Sequence, residues 1–386
     1  MRILHTSDWH LGRVLFDHPL LGDQRRVLDQ VVGHCAGGGF DAVLVSGDLF
    51  DRSLASEAAV QLWSGFLRDF RAACPRLPLV VIAGNHDSAA RIAYAADALA
   101  LAGIHVRGGA DGLERPVELD GAGGGRMQVW PVPFLWAGDL DAGDGEDGRT
   151  VRTQAETLAL ALERIRPGQD PSALQVVMAH CFTRGGAPSD SERVLVGTAT
   201  EVEPELFEGF HYAALGHLHR RQRIREHVWY SGSPLPYSFS EAGDAKALLA
   251  VELALDRPPR VEAVPLEVPR PLRRLAGSLG ELLDDPRFQA DTGCLVEITL
   301  PAAEAGASPF QLLKQRFPFL CCLGYAPEAG AAAGPAGPAG ALRRDGDLLS
   351  DFRQFAADIG LEAGALEGRA ALVAKVAGEL AREDLP

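Results

Sequence analysis

The amino-acid sequence predicts an α/β fold in which a sheet is covered by helices, followed by smaller appended segments. Two observations predict it. Short apolar, β-branched runs alternate with helical periodicity along the first half of the chain, which is typical of right-handed βαβ units. Several of these runs end in Asp, Asn or His, and open α/β sheets bind their ligands at the carboxyl ends of strands. The sequence therefore indicates a candidate site at that edge.

The elements of the first 255 residues follow from these patterns. The predicted strands are 1–6, 42–46, 78–83, 174–179, 213–215, 228–231 and 247–253. The predicted helices are 22–37, 55–73, 89–102 and 152–165. In the helix 55–73, apolar residues recur at helical spacing, so one face is expected to lie in the core. Gly-rich stretches at 108–109 and 121–125 favour hairpins.

The pattern changes after about residue 255. Two β-like and two helical segments, which predict a small α+β domain, are 261–268, 278–283, 294–300 and 309–316. An Ala-, Gly- and Pro-rich stretch then predicts a flexible linker. Beyond it, apolar residues at helical spacing predict two helices. We divide the chain into 1–255, 256–327, 328–341 and 342–386.

Composition limits the class of protein. The chain has 386 residues, and its 47% hydrophobic and 23% charged residues are ordinary globular values. It has no run of about 18 apolar residues, so we expect no membrane span. The six cysteines are scattered without a CxxC pair, as in reduced cytoplasmic proteins. The net charge of −15 argues against binding nucleic acid by bulk electrostatics alone, but it does not exclude a nuclease.

Five short elements carry the chemistry, and each follows an apolar run. They are Asp8-Trp-His10, Gly47-Asp48, Gly84-Asn-His-Asp87, His180 and Gly216-His-Leu-His219. Asp, Asn and His together suit Mn²⁺, Fe²⁺ or Zn²⁺ better than Ca²⁺ or Mg²⁺. Residues i and i+2 of an extended segment point the same way, so one metal can take both Asp8 and His10. Asp48 has two oxygens and can bridge two cations, which in binuclear hydrolytic sites lie about 3.5–4 Å apart.

Together these motifs resemble the calcineurin-type metallophosphoesterase family, and within it the bacterial SbcD-type nuclease subunits. The stretches that carry the resemblance are 6–12, 47–51, 84–87, 189–193 with Gly197, 216–220 and 230–239. It covers nearly all of residues 1–250. The resemblance implies a β-sheet sandwich flanked by helices over 1–255, a small α+β capping domain over 256–327, and a C-terminal two-helix tail over 342–386.

The resemblance also implies roles for individual residues. One metal would be held by Asp8, His10, Asp48 and His219, and the other by Asp48, Asn85, His180 and His217. Family members usually work with Mn²⁺. His86 would be the catalytic histidine, which stabilises the transition state or protonates the leaving oxygen. Asp51 is a candidate for orienting the His86 ring.

The implied function is metal-dependent hydrolysis of DNA phosphodiesters in DNA repair, replication and recombination. The expected activities are an ATP-dependent double-strand 3′–5′ exonuclease and a single-strand or hairpin endonuclease. The expected partners are DNA ends, an SbcC-type coiled-coil ATPase bound by 342–386, and a second copy within a heterotetramer. Arg184, Arg220 and Arg221 lie near predicted ligands in the sequence and are candidates for contacting DNA phosphates, although a basic run is more often a solvated face.

Two alternatives remain open. A small-molecule phosphodiesterase of the same superfamily would need no tethered tail and would act alone on nucleotides. A non-catalytic scaffold that bridges DNA would not need every ligand, yet all the expected ligands and His86 are present. Taken singly, Asp8, Asp48 and Asn85 also suit helix caps or turns, and the apolar tail could pack within the chain.

Overall fold

The computed structural model describes residues 1–121, 123–140, 153–192, 201–302 and 309–326. The strands are β1 (Arg2–Thr6), β2 (Val14–Leu15), β3 (His18–Pro19), β4 (Ala42–Ser46), β5 (Leu79–Ile82), β6 (Ile104–Arg107), β7 (Val117–Asp120), β8 (Arg126–Pro131), β9 (Leu174–His180), β10 (Tyr212–Gly216), β11 (Gln222–Arg223), β12 (Val228–Tyr230), β13 (Ala247–Ala254), β14 (Arg257–Pro265), β15 (Leu272–Ala276), β16 (Leu295–Leu300) and β17 (Leu320–Tyr325). The helices are α1 (Leu21–Gly37), α2 (Glu57–Ala73), α3 (Ala89–Ile92), α4 (Ala96–Ala100), α5 (Gln154–Ile165), α6 (Leu279–Asp284) and α7 (Pro309–Arg316). The predicted linker 328–341 and helical segment 342–386, and the motif residues Arg193 and Gly197, lie outside the described residues.

Two six-stranded sheets form the body. The first has the order β14-β13-β1-β4-β5-β6, and the second has the order β11-β12-β10-β9-β8-β7. The central strands β1, β4 and β5 run parallel to one another, as do β8, β9, β10 and β12. Every residue of β4 and β9 is buried, which is expected of strands covered on both faces.

The sheets pack face to face, with helices outside them. One apolar cluster lies between the sheets and joins Leu44 and Val80 of the first to Val176 and Met178 of the second. A second cluster joins the first sheet to α1 and α2, and a third joins the second sheet to α5. Because parallel strands end at the same edge, this layering brings the carboxyl ends of strands from both sheets together. None of the helices within the described residues is long and apolar enough to cross a membrane.

The predicted helix over 89–102 is wrong in one respect. The segment forms two short helices, α3 and α4, separated at Ala95, whose φ is +62°. A left-handed residue cannot continue an α-helix, so the chain changes direction there. The predicted helices 22–37, 55–73 and 152–165 correspond to α1, α2 and α5. Ser56 caps the amino terminus of α2, because its side chain accepts a hydrogen bond from the Ala59 amide.

The sequence predicts that the strand over 261–268 belongs to the capping domain. The structure instead places most of it in the first large sheet. Strand β14 pairs antiparallel with β13 in the first sheet. Only the turn at 255–256 separates these strands, and so short a connection favours a hairpin. The smaller sheet is instead β15-β16-β17, all parallel, and it packs with α6 and α7 around its own core. The prediction missed β15 and β17, because β15 carries two adjacent arginines in place of an alternating pattern and β17 contains Gly324, which is disfavoured in strands.

Candidate metal centre

The loops after β1 and β4 are tied to each other by their backbones. The Asp8 amide donates to the Gly47 carbonyl at 3.0 Å, and the His10 amide donates to the Asp48 carbonyl at 2.9 Å. Asp8, His10 and Asp48, and also His217 after β10, have φ between +45° and +108°. They are four of the six non-glycine residues with positive φ in the described part of the chain. Such conformations cost about 1–3 kcal/mol each and cluster at functional sites.

Glycines allow the loops to approach one another closely. A Cβ on Gly84 would lie 2.2 Å from Asp48 Oδ1, and one on Gly216 would lie 1.8 Å from the Ser46 carbonyl oxygen. Gly47 has a φ of +91°, and its Cβ would lie 2.2 Å from His180 Nδ1. Any larger residue at these positions would push the strand ends apart. The glycines of the motifs therefore serve the packing of the centre.

The first predicted ligand set is brought together. His10 Nε2 and His219 Nε2 lie 3.0 Å apart, and Asp48 Oδ2 lies 3.5 Å from His10 Nε2. Asp8, His10 and His219 each offer a ligand atom within 4.8 Å of the others. All four side chains are buried.

The second predicted set lies beside the first. Asn85 Oδ1 is 3.0 Å from His180 Nε2 and 3.0 Å from His217 Nδ1. Asp48 Oδ2 lies 3.6 Å from His180 Nε2. The same carboxylate oxygen is thus close to a nitrogen of each set, and this is the arrangement expected of a bridging ligand.

The arrangement of the predicted ligand atoms suits cations, because lone pairs face each other with no hydrogen between them. His180 Nδ1 donates to the Ser46 carbonyl at 2.9 Å, and burial lowers the pKa of the ring, so the ring is neutral and Nε2 carries a lone pair. That lone pair faces Asn85 Oδ1, which is also an acceptor. His10 Nδ1 is buried without a hydrogen-bond partner. Facing lone pairs repel in a buried site, and a bound divalent cation relieves that repulsion.

The buried carboxylates of Asp8 and Asp48 would also be stabilised in their ionised form by a positive charge in the site. Burial and the neighbouring Asp48 charge raise the pKa of Asp8 well above its usual value. Burial alone would raise the pKa of Asp48, but the rings of His180 and His86 outweigh it and lower that pKa. Burial lowers the pKa of His217 to about 3. A neutral imidazole such as that of His217 can bind a metal directly, whereas Asp8, whose raised pKa favours the protonated form, would release its proton when a cation binds.

His86 is held beside the ligands. Its Nδ1 donates to the backbone carbonyl of Asp51 at 2.8 Å, and its amide donates to Asp48 Oδ1 at 2.9 Å. Because a carbonyl only accepts, Nδ1 keeps a proton and Nε2 is the atom left for substrate. Asp51 therefore contacts His86 as expected, but through its backbone. Its carboxylate pairs with Arg13 at 3.1 Å.

Comparison with known proteins identifies the family. The family model described as calcineurin-like phosphoesterase matches residues 1–221. The chain belongs to the calcineurin-like phosphoesterase family. This membership confirms the predicted metallophosphoesterase fold and, for activity, the coarser expectation of a metal-dependent phosphoester hydrolase.

Two solved structures resemble this metallophosphoesterase. The protein TT1561 of Thermus thermophilus is 16% identical, with a TM-score of 0.39, over 68% of this chain and 98% of that one. A dimetal phosphatase from Danio rerio is 10% identical, with a TM-score of 0.40, over 68% of this chain and 95% of that one. At these scores, the family assignment rests on the match over residues 1–221.

A hydrogen-bond network that the sequence did not predict orients His219, one of the predicted metal ligands. Ser191 Oγ lies 2.6 Å from His219 Nδ1 and donates to Glu241 Oε1 at 2.9 Å. The hydroxyl has one proton, so it accepts from Nδ1, and His219 Nε2 keeps its lone pair toward the centre. Burial would raise the pKa of Glu241, but the charge of Lys246 and a hydrogen bond with His219 outweigh it and hold that pKa well below its usual value. The only sequence signal was that Ser191 lies within the motif 189–193.

Asp87 is a second residue that the sequence did not predict, and it connects the loop that carries Asp48 to the loop that carries Asn85. Its carboxylate accepts from the amides of Leu49, Phe50 and Gly84 at 2.9–3.0 Å. Burial and the nearby charge of Asp48 nevertheless raise its pKa to about 7. Asp87 therefore fixes the loop after β4 against the loop after β5. Its position in the motif 84–87 was the available signal.

Some of the arginines proposed to contact DNA already form ion pairs within the protein. Arg184 pairs with Glu203 at 2.8 Å. Arg220 pairs with Asp244 at 3.2 Å and also donates to the Ser240 carbonyl. Arg221 is exposed. Two of the three candidates are therefore already partnered by carboxylates.

Proposed function

We propose that this metallophosphoesterase is a nuclease subunit of the SbcD type, which hydrolyses DNA phosphodiesters with two divalent cations, Mn²⁺ being the expected metal. The observation that carries the hydrolytic part is Asp48 Oδ2, which lies within 3.6 Å of ligand nitrogens from both predicted sets. His86 lies beside them with Nε2 unused. The cations, when bound, neutralise an anionic phosphodiester and lower the pKa of a water.

The chain's own residues supply positioning and a proton. His86 is fixed through Nδ1 and through its amide, so its Nε2 is presented in one direction. A protonated His86 can give the Nε2 proton to the sugar oxygen that leaves when the P–O bond breaks. The Asp51 carbonyl stabilises that protonated ring by accepting from Nδ1. No side-chain nucleophile is required by this arrangement.

The substrate and the partners rest on the resemblance. The stretches 189–193 and 230–239 resemble SbcD-type nuclease subunits. The first contains Ser191 and the second adjoins Glu241, and these two residues orient His219. The chain also continues beyond the family match at 221 into a smaller sheet, β15-β16-β17. We propose that the segment 342–386 binds an SbcC-type coiled-coil ATPase and that the complex contains two copies of this chain.

A small-molecule phosphodiesterase is the second candidate. It is favoured by the pairing of Arg184 and Arg220 with carboxylates and by the net charge of −15, since long nucleic acids are bound mainly through basic surface. The nuclease proposal needs the partner, or rearranged arginines, to supply that surface.

One assay separates the two functions. The purified chain with Mn²⁺ is given hairpin DNA, blunt duplex DNA and a mixture of cyclic nucleotides, with and without the ATPase and ATP. The nuclease proposal expects DNA cleavage that the ATPase and ATP increase and that the Asp48→Asn variant lacks. Rapid cleavage of nucleotides by the chain alone, with DNA left intact, would support the second candidate instead.

The tail is tested by deleting residues 341–386. Because Met1–Ala326 forms a compact unit, we expect weak metal-dependent nuclease activity to remain while binding to the ATPase is lost. Co-purification and DNA cleavage of the full and truncated chains measure the two properties. Normal binding of the truncated chain to the ATPase would show that the partner site lies elsewhere.

A further inference from the structure

Trp136 is an exposed aromatic residue next to the metal centre, and the hydrolytic chemistry does not use it. Its side chain is 55% exposed, although indole is among the costliest groups to leave in water. It follows β8, where the chain passes the carboxyl end of β5: the Phe134 amide donates to the Ala83 carbonyl at 2.9 Å. Trp136 therefore lies at the sheet edge that carries the predicted ligands.

Ring contacts connect Trp136 to one of those ligands. Trp136 packs edge-to-face on Phe134, with ring centroids 4.8 Å apart, and Phe134 in turn packs edge-to-face on His180 at 6.2 Å. Of the exposed aromatic side chains in the described residues, only Trp136 has such a connection. Tyr94, which is 83% exposed, has none.

The position of Trp136 is fixed by its backbone. Its amide donates to the Asp139 carboxylate at 2.8 Å, and its carbonyl accepts from the Asp139 amide at 3.1 Å. An edge-to-face pair covers at most one face of the indole, so the contact with Phe134 leaves a face free. A flat, pre-positioned apolar face beside a phosphodiester centre suits a nucleobase.

We propose that Trp136 is a stacking platform for a nucleobase adjacent to the scissile phosphate. The inference rests on the nuclease function proposed above and narrows its substrate. Bases inside a duplex already stack on each other, so a base reaches a side chain only from a single strand, a hairpin loop or a frayed end. The centre therefore takes a strand whose base next to the cut is unpaired. Every base has a π-face, so this contact selects strand form rather than sequence.

The test uses the full chain with Mn²⁺ and a single-stranded oligothymidylate. Trp136→Ala should lower kcat/KM about 5- to 150-fold, the range expected for losing one stacked base, while Trp136→Phe should retain most of the activity. Tyr94→Ala is the control, because it removes a more exposed aromatic ring that has no ring contact leading to the centre within the described residues. Unchanged melting temperature and metal content establish that the Trp136→Ala protein is folded and loaded.

Abasic substrates identify the stacked base. One abasic residue is moved stepwise across the cleavage site. A single position should lower wild-type kcat/KM by the same factor as Trp136→Ala, and that position should have no further effect in the variant. Binding of the same oligonucleotides to the cleavage-deficient His86→Gln protein, followed by tryptophan fluorescence, should show quenching that disappears with Trp136→Ala.

The outcomes separate the two proposals. An abasic effect that persists in Trp136→Ala, or a loss of equal size in Tyr94→Ala, would overturn the platform while leaving the nuclease function standing. A Trp136→Ala protein that cleaves single strands normally but no longer binds the ATPase would assign the residue to a protein contact and overturn the platform as well. A wild-type chain that neither binds nor cleaves any oligonucleotide would overturn the nuclease proposal and this one with it.

Discussion

Asp48 connects more of the centre than any other single residue. Its Oδ2 lies 3.5 Å from His10 Nε2 and 3.6 Å from His180 Nε2, and its Oδ1 accepts from the His86 amide. One carboxylate thus contacts both predicted ligand sets and the loop that carries His86, the proposed catalytic histidine. Its left-handed backbone, with φ of +49°, is the local strain that puts the side chain there.

The Asp48→Asn substitution tests the bridging role. It keeps the shape of the side chain but removes its charge, so occupancy of both metals should fall together. Metal content of the purified protein, measured by elemental analysis, reports this. Asn85→Ala is the matched control, because the side-chain hydrogen-bond partners of Asn85 among the described residues are His180 and His217, both of one predicted set, so the substitution should lower occupancy of one site. Selective loss of one metal in Asp48→Asn would place the bridge elsewhere.

The His86→Gln substitution separates catalysis from metal binding. We expect cleavage to fall about 10²- to 10⁴-fold, which is the usual contribution of a general acid, with both metals retained. Cleavage rate and metal content are measured on the same preparation. His86 also lies within ligand distance of His10 and Asp48, so loss of a metal in this variant would identify His86 as a ligand.

At the scale of elements, hydrogen bonds from the end of β4 connect the first sheet to β9 and β10 of the second. Ser46 at the end of β4 donates through Oγ to the Ala214 carbonyl at 2.9 Å, and its own carbonyl accepts from His180. Gly216, the last residue of β10, packs closely against that same Ser46 carbonyl. The metal centre therefore depends on a backbone contact between the sheets.

Gly216→Ala should disrupt this contact. Its Cβ would lie 1.8 Å from the Ser46 oxygen, a backbone atom that cannot rotate away, so the strand ends must separate. We expect the free energy of unfolding to fall by about 1–3 kcal/mol, together with metal affinity. Gly33→Ala is the control, since Gly33 is exposed within α1 with nothing within 4 Å and should gain about 0.5–1 kcal/mol. Urea unfolding compares them, and equal effects would contradict the argument.

At the scale of the whole molecule, the apolar interface between the sheets contains a buried titratable pair away from the candidate metal centre. His5 of β1 and Tyr212 of β10 are fully buried, and His5 Nδ1 lies 2.9 Å from the Tyr212 hydroxyl. Burial lowers the pKa of His5 to about 3 and raises that of Tyr212 well above its usual value. The folded protein therefore keeps both groups neutral.

This pair predicts how stability depends on pH. Unfolded His5 titrates near the ordinary histidine pKa of 6.5, whereas folded His5 titrates near 3, so between these values the unfolded state binds more protons. The stabilisation is therefore complete above pH 6.5 and is lost as pH falls toward 3, by up to about 5 kcal/mol. Urea unfolding from pH 7 to 4 should show a smaller decline for His5→Gln than for the wild type. Parallel declines would show that other groups dominate.

Much of the candidate centre was predictable because its signals are local. Asp8, Asp48 and His180 each interrupt or follow an apolar run, and a polar residue at that point of a strand is visible without any partner. The main helices were predictable for the same reason, since apolar spacing within one segment defines a helical face. The break at Ala95 was not, because alanine favours helices and only the folded backbone makes it left-handed.

What the sequence by itself determined about this protein is therefore its family, its strand ends and its predicted ligands. Only the tertiary structure decided which atoms meet. The Ser191–Glu241 contact joins residues 50 positions apart, the arginines near the centre are paired by distant carboxylates, and Trp136 reaches His180 through Phe134. The physical reason is that these contacts depend on how two sheets pack face to face, and no local pattern in the chain records that packing.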